Sequence, residues 1–418
     1  MIDNSLHEIH QSAYRKYHST ETALLKIMDD LLCSMDSSKC SLLLLLDQSA
    51  AFDTVDQNTL LQRFEKLYGI SGSALKWLQS YFIGRTQAVT IKGKSSEPRQ
   101  LSTGFPQGSV LEPFSYPAYT SPLFSIASVN NVSMHMYADD TQLYVSFNPR
   151  DSNDASFKLS KCIEDLCVWM ISNKLKLNDS KTEYLVIGSA SSRKHTDNLK
   201  TFTIGNEQIQ ASDSARNIGA ILDSSLSLTE HVNSITKACY FHLYRIKQIR
   251  PYLTEASTAT LVCSLILSRL DYANSLLYGL PDVLLNKLQM VQNNAARLVL
   301  KKKKSDHVTP LLKHLHWLPI KQRIEFKINL ITYKALHNQA PSYINELLEP
   351  YEPTRSLRSS VLGLLKEKKT KLKRSGDRAF SVIAPKLWNR LPECLRKAES
   401  VECFKSNLKT YLFKIAYC

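Results

Sequence analysis

Two adjacent carboxylates, Asp139 and Asp140, stand between short runs of β-forming residues in residues 134–147. That pattern predicts a β-hairpin with the carboxylates at its tip. Asp is common in turns, so such a pair alone reads as a solvated turn. Like charges side by side are costly unless a cation joins them, and hard oxygen ligands suit Mg²⁺. A third carboxylate, Asp47, ends the apolar run of residues 41–47. A run of that length predicts a buried central strand, with a buried helix as the alternative. A strand beside the hairpin would bring Asp47 to Asp139 and Asp140, giving three carboxylates that can hold a pair of metal ions.

Two further segments fit that chemistry. Residues 104–109, Gly-Phe-Pro-Gln-Gly-Ser, form a loop whose glycines let main chain approach a base or sugar closely. Residues 175–183 place Lys181 just before a predicted strand at 184–187; a single Lys is more often a plain surface residue.

Asp47 with Phe52, the 104–109 loop, the Tyr137–Asp140 run and Lys181 resemble, in that order, the palm motifs of reverse transcriptases. Residues 49–56, Trp169-Met170 with residues 173–178, and residues 315–319 narrow the resemblance to non-LTR (LINE-type) retrotransposons of the chicken-repeat and jockey-like groups. It covers nearly the whole chain. It implies an RNA-directed DNA polymerase, a nucleotidyltransferase, with an α+β fold: a right-hand polymerase palm built on an antiparallel sheet with helices. The implied division is partial fingers at 1–40, palm with inserted fingers elements at 41–225, helical thumb at 226–340 and a basic C-terminal region at 341–418. Asp47, Asp139 and Asp140 would hold two Mg²⁺, with Mn²⁺ as a substitute. Phe52 would be the steric gate against a ribose 2′-OH, Gln107 and Gly108 would shape the nucleotide and template pocket, and Lys181 would protonate departing pyrophosphate. The implied partners are an RNA template, a DNA primer and dNTPs, with no membrane, in the nucleus or cytoplasm.

The resemblance has departures. Glu112 stands where the family usually has Gly, Pro117 sits in a run that is usually helix-compatible, and Gln48 and Gln57 replace the usual Leu and His. The family also places basic fingers residues, and farther upstream an endonuclease, before the first helix here, so the expectation is the C-terminal part of a longer polyprotein. These features predict weak or absent polymerisation despite an intact triad. A nucleic-acid-binding module without turnover, or an inert relic, stands as the other reading.

The 418 residues are 43% apolar, enough for two or three domains with real cores. A net charge of +15 and a pI near 9.3 favour a polyanionic partner. Residues 361–418 concentrate it, with 14 Lys/Arg against 5 Asp/Glu. Within them, residues 366–374 form a candidate nucleic-acid or nuclear-import patch. Nine cysteines without a C-x-x-C pair argue against a zinc knuckle and for a reducing compartment. No secretory signal or apolar run of membrane-spanning length is present.

Local signals outline the elements. Ser19 or Thr20 predicts the cap of a helix reaching about Met35. Residues 161–175 read as amphipathic, with Cys162, Ile163, Leu166, Trp169 and Met170 inward. Gly205-Asn206 predicts a hairpin turn, and residues 216–221 resemble a primer-grip neighbourhood. Helices are predicted from Thr229 to a stop at Pro251, then over 254–278 and 281–300, and from Pro319 to His337.

Overall fold

The computed structural model describes residues 6–49, 52–105, 108–178, 181–204, 207–352 and 363–418. The chain divides into two compact units. One comprises residues 1–18, 41–186 and 193–212; the other comprises 19–40, 187–192 and 213–418.

The first unit is built on four strands: β1 Cys40–Leu46, β2 Ser133–Tyr137, β3 Asp140–Phe147 and β4 Glu183–Ile187, in the order β4-β1-β3-β2. Strand β1 is buried at every position, as an uninterrupted leucine run inside a covered sheet must be. Strands β2 and β3 form the antiparallel hairpin, paired from Ser133↔Tyr144 to Tyr137↔Asp140. The segment at His10–Ser12 extends the sheet beyond β2. Gln11 bridges Met136 in parallel, Ser12 donates its N–H to Met136 O at 2.9 Å, and Met136 donates to His10 O at 2.9 Å.

Helices Pro122–Val129 and Ser152–Ser172 pack against the hairpin strands. The second buries Leu159, Cys162, Ile163, Leu166 and Met170, one stripe at helical spacing. Trp169, expected inward, is only half-buried; the part of its ring that is covered meets the guanidinium of Arg63, 4.8 Å away, which also lies 4.3 Å from the Tyr119 ring. Within residues 85–92 the strands are only the short pieces Thr86–Gln87 and Thr90–Ile91. Pro117 lies inside helix Glu112–Thr120, which continues past it; the break comes at Ser121, and Pro122 opens the next helix. Pro117 is the sixth residue of that helix, so it forfeits one hydrogen bond, the one an N–H there would give to the Pro113 carbonyl, and the rest of the short helix is kept.

The second unit is mostly helical. Ser19 caps helix Thr20–Asp36 with a reciprocal Ser19–Thr22 capping box. Helix Thr229–Ile249 packs on Asp282–Val299, and Ile320–Leu336 packs on Phe380–Asn389 and Val401–Tyr417. The last three meet in an aromatic cluster in which the Tyr333 and Phe404 rings stack at 4.3 Å beside Trp388. Residues 254–278 do not form one helix. A π-helical turn, Cys263–Leu267, interrupts Glu255–Val262 and Ser268–Asp271. The helix then stops where the Asp271 carboxylate takes hydrogen bonds from Arg323 and Asn274.

Hairpin β5 Ser214–Asn217 and β6 Ala220–Asp223 turns through Ile218 and Gly219, both at positive φ. Behind it, buried His231 accepts the Ile221 N–H at Nδ1, 3.3 Å away. Burial, and then the charge of Arg216, pushes the imidazole down to about 4. A folded pKa below the unfolded value of 6.5 means that the neutral ring stabilises the fold fully above 6.5, and that this is lost as pH falls towards 4. The stake is roughly 3 kcal/mol. Urea midpoints of the second unit are expected to drop across that window, and the His231→Asn variant to show a flatter profile.

Candidate active site

The site is carried by the end of β1 and the tip of the β2–β3 hairpin. Neighbouring strands β1 and β3 place Asp47, the first residue after β1, on the same sheet as Asp140, the first residue of β3. The tip is a two-residue turn, Ala138–Asp139. Ala138 has φ +59°, which costs a non-glycine residue roughly 1–2 kcal/mol. The side chain of Gln11, 2% exposed, holds Ala138 on both sides of its Cα. Ala138 N–H donates to Gln11 Oε1 at 3.2 Å, and Gln11 Nε2 donates to Ala138 O at 3.3 Å.

The three carboxylates sense one another. Burial and then the charge of Asp47 raise Asp139 above the usual carboxylate range, against its own backbone and Lys181. Asp140 reaches solvent, yet the surrounding protein, then Asp139 and Asp47, raise it too. Asp47 Oδ2 lies 3.1 Å from Lys181 Nζ and 3.2 Å from Asn178 Nδ2. The Lys181 side chain is largely exposed, so the pair contributes little to stability; its effect is local charge balance. Hard oxygen donors held in mutual repulsion fit a divalent cation. Among the described residues, no three Asp, Glu, His or Cys groups close on one ion.

The remaining expected residues lie on this unit. Phe52 is half-buried with its ring 4.6 Å from that of Tyr116. Tyr116 is fully buried; burial and then the Asp139 charge keep its phenol protonated, and it donates to Gln48 Oε1. Gly104 is strapped to the chain that follows Phe52: its N–H donates to Val55 O at 2.8 Å, and its carbonyl accepts from Gln57 Nε2 at 3.2 Å. Gly108, at φ +76°, donates its N–H to Glu112 Oε2 at 2.9 Å. Glu112 thus serves the loop and the first turn of its own helix, where a negative charge is favourable. Gln107 lies outside the described residues.

Three residues escaped the sequence reading. Gln11 gave no signal, since its contact spans 127 positions. Tyr116 stood in a run read as unfavourable for helix. Asn178 lay in the Lys181 segment, three residues ahead of it, and that spacing could have flagged it.

The reverse transcriptase (RNA-dependent DNA polymerase) family matches residues 2–222. The chain belongs to this family. It is 28% identical over 308 residues to a probable RNA-directed DNA polymerase from transposon BS of Drosophila melanogaster, covering 69% of this chain and 32% of that protein. It is 22% identical over 300 residues to the RNA-directed DNA polymerase from mobile element jockey of the same organism, covering 69% and 31%. This reverse transcriptase chain therefore spans about a third of the length of the curated relatives it matches. Among solved structures it is similar to apo telomerase from Candida tropicalis (11% identity, 81% of this chain, 58% of that one, TM-score 0.40). It is also similar to telomerase from Candida albicans in complex with a fragment of telomeric RNA (14% identity, 78% and 54%, TM-score 0.35).

Proposed function

We propose that this chain is the polymerase part of a non-LTR retrotransposon reverse transcriptase, adding dNTPs to a DNA primer on an RNA template. The observation that carries this is that Asp47, at the end of β1, lies near enough to the β2–β3 hairpin tip for its charge to raise both Asp139 and Asp140. In this reading residues 41–225 act as palm, 226–340 as thumb and 341–418 as a basic tail. Two Mg²⁺ bound there would make the primer oxygen more nucleophilic and neutralise the leaving pyrophosphate. Asp139 and Asp140 present hard ligands from a fixed turn. Lys181, whose ammonium lies 3.1 Å from Asp47 Oδ2, would give a proton to pyrophosphate. Phe52, backed by Tyr116, crowds the sugar, and Gly104 and Gly108 bring main chain to the nucleotide. Glu112, whose carboxylate occupies the Gly108 N–H, favours the second reading, a module that holds nucleic acid without turnover. Adding single dNTPs to a primed RNA separates the two: the polymerase reading expects extension only by the dNTP matching the template base.

Both readings need phosphate contacts. Lys366 and Lys368 pair with Glu349, whereas Lys369, Lys371, Lys373 and Arg374 are exposed. Affinity for an RNA–DNA hybrid is expected to fall steeply with salt. Replacing those four cations by Ala is expected to flatten the log–log slope by up to about 3. An unchanged slope in a filter-binding titration would remove the tail from the interface.

A further inference from the structure

We propose that Gln11 is a positioning residue: it sets the strained Ala138–Asp139 turn and thereby the affinity of the carboxylate site for a hard divalent cation. The inference rests on the polymerase reading and deepens it. Both ends of the amide are used. Its Oε1 accepts from both Ala13 N–H, at 3.1 Å, and Ala138 N–H, while its Nε2 donates to Ala138 O. Only a side chain with a donor and an acceptor at that reach holds both the N–H and the carbonyl of one residue, and so the two peptides that flank its Cα. The conformation so held, φ +59° at Ala138, is one an alanine leaves when released. Relaxation to negative φ would turn the next peptide and swing Asp139 away from Asp47. Gln11 is itself anchored. Its main chain is seated on β2 through the neighbouring His10 and Ser12, and Arg15 donates to Gln11 O at 3.0 Å. The site is thus completed by a segment more than a hundred residues upstream of the aspartates. Groups that orient ligands in this way typically change metal affinity by about 10–100-fold when removed.

Mn²⁺ alone, titrated into the full chain and followed by the EPR signal of the free ion, reads the site without requiring turnover, with Asp139→Ala as the blank. Gln11→Ala is expected to weaken the Asp139-dependent binding about tenfold or more. Gln11→Glu, which cannot donate to the Ala138 carbonyl when ionised, is expected to weaken it as well. The decisive variant is Gln11→Ala combined with Ala138→Gly. Glycine takes positive φ without strain, so this pair is expected to recover most of the affinity. A residue that only tied the N-terminal segment to the sheet would show no such rescue. Circular dichroism confirms that each variant is folded. Gln11→Ala binding Mn²⁺ as tightly as the parent, or no rescue by Ala138→Gly, would overturn the inference while the polymerase reading stands. A parent chain with no Asp139-dependent binding at all would overturn both.

Discussion

Asp139→Asn is expected to lower nucleotide incorporation about 1000-fold or more while leaving the fold at least as stable as the parent. Loss of rate follows from losing a charged ligand in a site whose work is electrostatic. Stability moves the other way because the carboxylates repel one another: Asp139 and Asp140 are both raised by burial and by neighbouring charge. An acid whose folded pKa lies above its unfolded value costs stability once ionised. That cost sets in as pH rises from about 3.8 through the raised folded pKa, and is fully present at neutral pH. Removing one charge relieves it. Thermal melts at pH 7 with and without Mg²⁺ check the account. Mg²⁺ should raise the parent's midpoint and leave the variant's unchanged. A variant that is both inactive and less stable would mean that Asp139 is a structural residue.

Gly104→Ala is expected to cost roughly 2–3 kcal/mol of stability and about 100-fold in activity. A Cβ at this position would lie 2.7 Å from Asp53 O, 2.8 Å from its Cα and 2.9 Å from its carbonyl carbon. Those are backbone atoms beside Phe52, so the clash cannot be relieved by a side-chain rotation. The required φ of +76° adds strain of its own. The displaced atoms adjoin Phe52, the proposed sugar gate, where an error of about 1 Å would be enough to misalign a nucleotide. Gly108→Ala is the control. Its Cβ meets nothing within 4 Å, so only the φ strain of roughly 1–2 kcal/mol applies. Urea denaturation of the two variants should rank them in that order; equal midpoints would show that the close approach at Asp53 yields easily.

The hairpin tip is legible because its signals are local. Alternation around Asp139 and Asp140 marks a hairpin, five leucines mark an inner strand, and Ser19 marks a helix start. The elements that went unread depend on distant partners. Nothing in residues 254–278 announces the π-helical turn, and the stop at Asp271 is made by Arg323, 52 positions away. Pro117 reads as a helix breaker, yet helix Glu112–Thr120 continues past it and breaks only at Ser121. Glu112 reads as a stray charge near carboxylates until its partner Gly108 is seen. Gln11 is the clearest case, since a lone polar residue in an N-terminal stretch carries no pattern, and only the folded sheet puts its amide around Ala138.

Template-directed incorporation tests the central claim most directly. The unmodified chain is given a DNA primer annealed to RNA, Mg²⁺ and one dNTP at a time, beside Asp47→Ala and Asp140→Ala. The expected result is single-nucleotide extension with the dNTP complementary to the template base, absent from both variants. A folded chain that binds the hybrid without extending it, or extension that survives loss of either carboxylate, would contradict the account.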